Sequence, residues 1–224
     1  FYYNGRQISH IQYNTASKTT YNYIEGELTG TSTSPTDDRI ADGNGATRYK
    51  REGYKVVIES WGEPSFELYV KEIELNNDGM PVKITDKGIF EYTGGETERK
   101  QIREGKYYSL LSIDPTTRNL LKEEVYLLET DAKVATYTYE YENTPGVMSK
   151  VDLPVWYYAY RNHMSYWDNG AGNLYFNYSN NLVKKIIDDN LNEVRKTVEI
   201  SYEYNQAGFP VRMICENDMF EISY

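Results

Sequence analysis

The chain has 224 residues and carries 24 Lys and Arg against 34 Asp and Glu, a net charge of −10. That balance excludes a protein that grips nucleic acid through its phosphates, which requires clustered cations. One cysteine, Cys215, and two histidines, His10 and His163, exclude a disulfide framework, a thiolate metal cluster and a three-histidine centre.

Tyrosine is the compositional outlier, with 24 copies beside 3 Trp and 6 Phe. Aromatic residues favour strands, and tyrosine suits a surface that is half buried and half wet. So aromatic a chain is not a disordered one. The sequence opens at Phe1, without an initiator methionine or a signal peptide, and reads as a processed or truncated form whose address lies upstream. Period-two alternation predicts strands along the chain. In 65–75 Phe66, Leu68 and Val70 oppose Glu67, Tyr69 and Lys71. In 134–142 Tyr137, Tyr139 and Tyr141 oppose Thr136, Thr138 and Glu140, and in 193–204 Val198, Ile200 and Tyr202 oppose Glu199, Ser201 and Glu203. The stretch 180–194 also has near-helical spacing, but strand–turn–strand is the favoured reading there.

Turns punctuate these strands. "LNNDGMPVKI" (75–84) and "YNQAGFPVRM" (204–213) share one template of apolar, Asn, two variable residues, Gly, one variable residue, Pro, Val, a base and an apolar residue. Asn and Gly tolerate the positive φ of a tight turn, and Pro opens the returning strand. Looser copies begin at residues 3, 23, 49, 113, 141 and 178. The series predicts a degenerate array of about eight hairpins.

These units resemble the tyrosine–aspartate (YD) repeats of large bacterial surface and toxin-shell proteins, most closely at 73–83 and 202–212. Asn or Glu stands where Asp usually follows the tyrosine. The whole chain is similar to a family of domains from exported lipoproteins of Gram-negative gut anaerobes, of unassigned function and porin-like fold. The resemblance implies a many-stranded antiparallel barrel or strongly curled sheet, exported to the cell envelope and tethered by a lipid anchor upstream. Membrane insertion by the domain itself is not expected. The faces opposite the aromatics carry Thr, Glu, Lys and Ser, and no lipid-facing aliphatic band is apparent.

The densest aromatic run is 154–178. In it Trp156, Tyr158 and Tyr160 alternate onto one strand face, and Tyr166 and Trp167 precede a turn rich in Asn and Gly. Flat aromatic faces stack on sugar rings, and Arg161, Asn162, Asp168 and Asn169 offer bonds to hydroxyls, against a competing reading of these residues as core and turn. Trp61 is a second, exposed candidate. Asp37, Asp38, Asp42 and Asn44 lie in one loop but lack the ligand spacing of a calcium loop, so no metal and no cofactor is expected. His163 has Ser165 and Asp168 near it in sequence without a nucleophile elbow. Glu59, Glu67, Glu72, Glu74 and Glu124 offer carboxylates for glycoside hydrolysis, but nothing selects a pair. The expectation is therefore an all-β, soluble single domain over 1–224, a barrel or strongly curled sheet of about eight hairpins. It serves as a non-catalytic binding or scaffold module whose partner is a glycan or an envelope protein. Carbohydrate binding at 156–178 and glycoside hydrolysis stand as alternatives.

Overall fold

The computed structural model describes residues 2–13, 17–35, 45–62, 67–94, 98–163, 178–191, 193–216 and 218–222. Strands β1 (Tyr2–Asn4), β2 (Gln7–Tyr13), β3 (Ser17–Ile24) and β4 (Glu27–Pro35) open the chain. They lead into β5 (Gly45–Glu52), β6 (Lys55–Gly62), β7 (Glu67–Leu75) and the long β8 (Pro81–Gly94). A short β9 (Glu98–Arg103) follows, then β10 (Tyr107–Ile113), β11 (Leu120–Leu127) and β12 (Lys133–Pro145). Helix α1 (Val155–Asn162) precedes β13 (Asn180–Asp189), β14 (Val194–Tyr204), β15 (Pro210–Cys215) and β16 (Asp218–Glu221). Every pairing is antiparallel, and the strand order follows the chain from β1 to β16, with β9 alone off that path.

The templated turns are hairpins built from the same bonds. Asn76 Oδ1 accepts from the backbone N–H groups of Asp78 and Met80, each at 3.0 Å. Asn205 Oδ1 does the same for Ala207 and Phe209, also at 3.0 Å. Gly79 and Gly208 take φ of 74° and 80°, and Pro81 and Pro210 open the returning strands. The copies at 3, 23, 49 and 113 likewise turn between β1 and β2, β3 and β4, β5 and β6, and β10 and β11. Those at 141 and 178 are not hairpins: they flank the long connection from β12 to β13 that contains α1.

The barrel expected from sequence is not formed. Among the described residues β1 pairs only with β2 and β16 only with β15, so the fifteen-strand path is open. Nor is it an array of about eight hairpin units. Each hairpin also zips onto the next, giving one continuous meander. Two features explain the open edge. Strand β14 gives its first half to β13 and its second half to β15, which displaces the last two strands along the sheet. Burial of the concave face, which barrel closure would otherwise provide, comes from α1.

That helix corrects a second expectation, since 155–162 is not a strand. Val155, Trp156, Tyr157, Tyr158 and Ala159 are consecutive and all buried. Tyr157 meets Tyr21 of β3 and Tyr49 of β5 edge-on at ring distances of 5.9 and 5.8 Å, and its hydroxyl donates to that of Tyr21 at 3.2 Å. Trp156 packs on Tyr49 at 5.2 Å, and the Tyr160 hydroxyl meets Ser60 Oγ of β6 at 3.4 Å. His163, just past the helix, is bonded to Glu123 of β11. A helix of eight residues, about 12 Å long, together with the His163 that follows it, thus reaches strands from β3 to β11, and the sheet bends around it.

Strand β8 serves two neighbours in turn: residues 83–85 pair with β10, and residues 89–94 with β9. Both lie along the same edge of β8, and the link between them runs close against it. A Cβ on Gly88, whose φ is 96°, would overlap the Arg103 carbonyl oxygen, and one on Gly105 would overlap that of Asp86. Gly88→Ala is expected to destabilise the fold by about 1–3 kcal/mol, because backbone must move on both sides of this close approach. Urea unfolding checks this, with a lowered midpoint and an unchanged slope as the expected result.

Candidate functional site

The concave face divides into a sealed interior and open clefts at its ends. In the interior, the alternation of β11, β12 and β13 sends charged side chains inward. Glu123 lies beside Tyr137 on β12, and Tyr139 beside Lys185 on β13. Glu123 Oε1 and His163 Nδ1 are 2.6 Å apart, with side chains 0% and 3% exposed. Burial, with the charge of Lys71, holds the imidazole below its ordinary pKa against the opposing pull of Glu123 and Asp86. The neutral ring then donates its Nδ1 proton to the carboxylate. Further along, the Lys185 ammonium lies over the rings of Tyr137 and Tyr139 at 5.4 and 5.8 Å, and the Tyr137 hydroxyl donates to Asp189 Oδ2 at 2.9 Å. Burial pushes the Tyr139 phenol well above its usual range, with the neighbouring Glu123 adding to the effect.

The residues singled out from sequence disperse. Trp156 and Tyr158 are core, 5% and 3% exposed, so neither presents a ring face to solvent. The Tyr158 hydroxyl donates to the carbonyl of Met148 at 3.2 Å. Tyr160 is half-buried with the Lys71 ammonium 5.9 Å from its ring, and Arg161 is half-buried in the last helical turn. Tyr166, Trp167, Asp168 and Asn169 lie outside the described residues, as do Ser165 and the loop of Asp37, Asp38, Asp42 and Asn44. Among the described residues no group of three or more His, Cys, Asp or Glu is placed to hold a metal ion.

Trp61 is exposed, with the Arg48 guanidinium 5.9 Å from its ring. Cys215 is buried, which pushes its thiol up and away from nucleophilic use. The five carboxylates weighed for hydrolysis are engaged along the sheet. Glu59 pairs with Arg48 and Arg99, Glu72 with Lys55, Glu74 with Lys83, and Glu124 with Lys122 and Lys133. Glu67 accepts from the Tyr69 hydroxyl.

Among the described residues, three clefts bear on a binding role. One, of about 370 Å³, lies where α1 leaves part of the inner face of β3 to β7 uncovered. Its wall is a set of paired hydroxyls, with Thr19 to Thr33 at 2.9 Å and Thr47 to Ser60 at 3.1 Å. A second, of about 950 Å³, lies beside the link from β9 to β10, between Arg103–Lys106 and the turn after β11. The third, of about 570 Å³, is lined by the turns after β3, β7 and β10, by β5, and by the segment leading into α1. Sequence reading did not find these clefts, nor Glu123, Lys185 and Asp189. The three charged residues left one trace: each occupies the phase of its strand otherwise held by buried apolar residues such as Val125 and Ile187.

No protein-family model and no curated protein matches the chain. Among solved structures, a porin-like protein from Bacteroides uniformis matches at a TM-score of 0.42 and 15% identity, over 92% of this chain and 86% of that one.

Proposed function

We propose that the domain is a non-catalytic binding or scaffold module of a bacterial cell envelope. The observation that carries this reading is the use made of the concave face. Its centre is filled by the chain's own helix, and its acid–base couple, Glu123 with His163, is shut away from any substrate. A general acid or base must come within hydrogen-bond reach of the substrate, and this couple faces α1 and the inner sheet. The recognition surface is then left to the cleft-lined ends. Envelope placement, an upstream lipid anchor and descent from tyrosine–aspartate repeats rest on the resemblance of the sequence.

The test has two arms. In cells of the source bacterium the full-length protein is expected in the envelope fraction, and recovery in the cytosol overturns the placement. The purified domain is expected to leave a panel of oligosaccharides and chromogenic glycosides intact. Turnover abolished by Glu124→Gln or Glu59→Gln would instead establish a hydrolase.

A further inference from the structure

The cleft beside the turn at 76–80 has the make-up of a ligand site, and we infer that it binds a short neutral oligosaccharide. The inference rests on the reading of the domain as a binding module and gives that module a ligand class.

Its volume, about 570 Å³, falls within the roughly 300–1,000 Å³ typical of small-molecule sites. The floor is apolar and aromatic: Leu28, Tyr49, Val56 and Trp156 are buried there, with Tyr23 and Tyr178 half-buried at the sides. The rim is contributed by separate turns. Glu27 stands at the start of β4, Asp78 between β7 and β8, Arg118 between β10 and β11, and Asp152 ahead of α1. Lys50 and Arg51 complete it from β5. Three cations and three anions therefore surround one opening.

Two features favour a neutral polyol. The rim charges cancel, so a net anion or cation gains no overall field from a protein that is otherwise strongly acidic. Carboxylates only accept and guanidinium or ammonium groups only donate, whereas a sugar hydroxyl does both and so satisfies either kind at any point of the rim. On the flat strand faces opposite charges are spent on each other, as in Lys55 with Glu72 at 3.1 Å and Arg212 with Glu203 at 2.7 Å. Around this cleft, among the described residues, Glu27, Asp78, Arg118 and Asp152 form no ion pair.

The rings of Tyr23 and Tyr178, half-buried at the sides of the cleft, offer apolar surface to the C–H face of a sugar ring.

Calorimetric titration of the 224-residue chain tests the inference. Neutral hexasaccharides of glucose, xylose and mannose are the probes, with hexagalacturonate and a chitosan hexamer as charged controls. At least one neutral sugar is expected to bind saturably. Asp78→Ala and Asp152→Ala are each expected to weaken it about tenfold or more, with folding of both variants confirmed by circular dichroism. Silence from every neutral sugar, binding of the charged controls alone, or affinities unchanged in both variants overturns the assignment. The titrated sugar is then recovered and sized by chromatography. Intact sugar supports the site, whereas fragments would leave the site standing and refute the non-catalytic reading.

Discussion

Glu123→Ala is expected to destabilise the protein by about 3–5 kcal/mol, from a buried donor left without its carboxylate acceptor and the cavity behind it. The substitution removes the acceptor of the His163 Nδ1 proton at a site where the two side chains are 3% exposed or less. The imidazole keeps a donor that no water can reach, and a cavity opens behind it. Glu123→Gln keeps an acceptor oxygen and should cost clearly less. The double change Glu123→Leu with His163→Leu should lie nearer the wild type than Glu123→Ala alone, because a buried pair replaced by apolar groups of similar size often costs little. Urea unfolding of these proteins, together with Glu123→Leu and His163→Leu made singly, decides the matter. If the two Leu changes made singly add up to the double, the pair is not coupled and this account fails.

The same pair sets a pH dependence. In the folded protein His163 lies below the ordinary histidine value of 6.5, chiefly through burial. The unfolded chain therefore binds the proton more readily, and stability rises with pH across that window. The contribution is complete above the unfolded pKa and is lost progressively as pH falls below about 6.5. Carboxylates titrate lower still, so the useful signal is a difference. The melting temperature of wild type should fall more steeply than that of His163→Leu between about pH 7 and pH 5. Parallel curves would show that the ring does not titrate on unfolding.

Tyr157→Ala should cost a comparable amount, about 3–5 kcal/mol. Tyr157 is 1% exposed and joins α1 to two strands far away in sequence, through the rings of Tyr21 and Tyr49. Tyr157→Phe retains the ring contacts and loses the bond to the Tyr21 hydroxyl, for about 1 kcal/mol. Thermal and urea unfolding separate the two. A loss in Tyr157→Phe equal to that in Tyr157→Ala would place the energy in the hydroxyl pair instead of in packing.

Strands and turns were legible because their causes are local. The alternation of Tyr137, Tyr139 and Tyr141 is that of β12, and the Asn and Gly of the template form the turns at 76–80 and 205–209. Helix α1 was missed because it is buried almost all round, so it shows no polar stripe at helical spacing. The aromatics at 156, 158 and 160 imitated a strand only while Tyr157 and Ala159 between them were ignored, since neither is polar. Irregular spacing of the turn copies held the better clue. The two long intervals, 75 to 113 and 141 to 178, are where β9 and α1 are inserted. Barrel closure depends on where the two end strands fall, which no local pattern encodes. The Glu123–His163 pair joins positions 40 residues apart and left only an ill-placed charge in the pattern of β11.

A sheet whose strand order copies the chain order can zip up as it is synthesised, one hairpin after another. The aromatic lining of its first third has no such advantage. Tyr21 must wait for Tyr157, 136 residues further along. At roughly 5–20 residues per second that wait lasts about 7–27 s. For that interval the nascent chain displays a half-built, tyrosine-rich trough with its own cover not yet made. The emergence of α1, more than the formation of any strand, is therefore the event that ends the chain's exposure to chaperones and to its own copies.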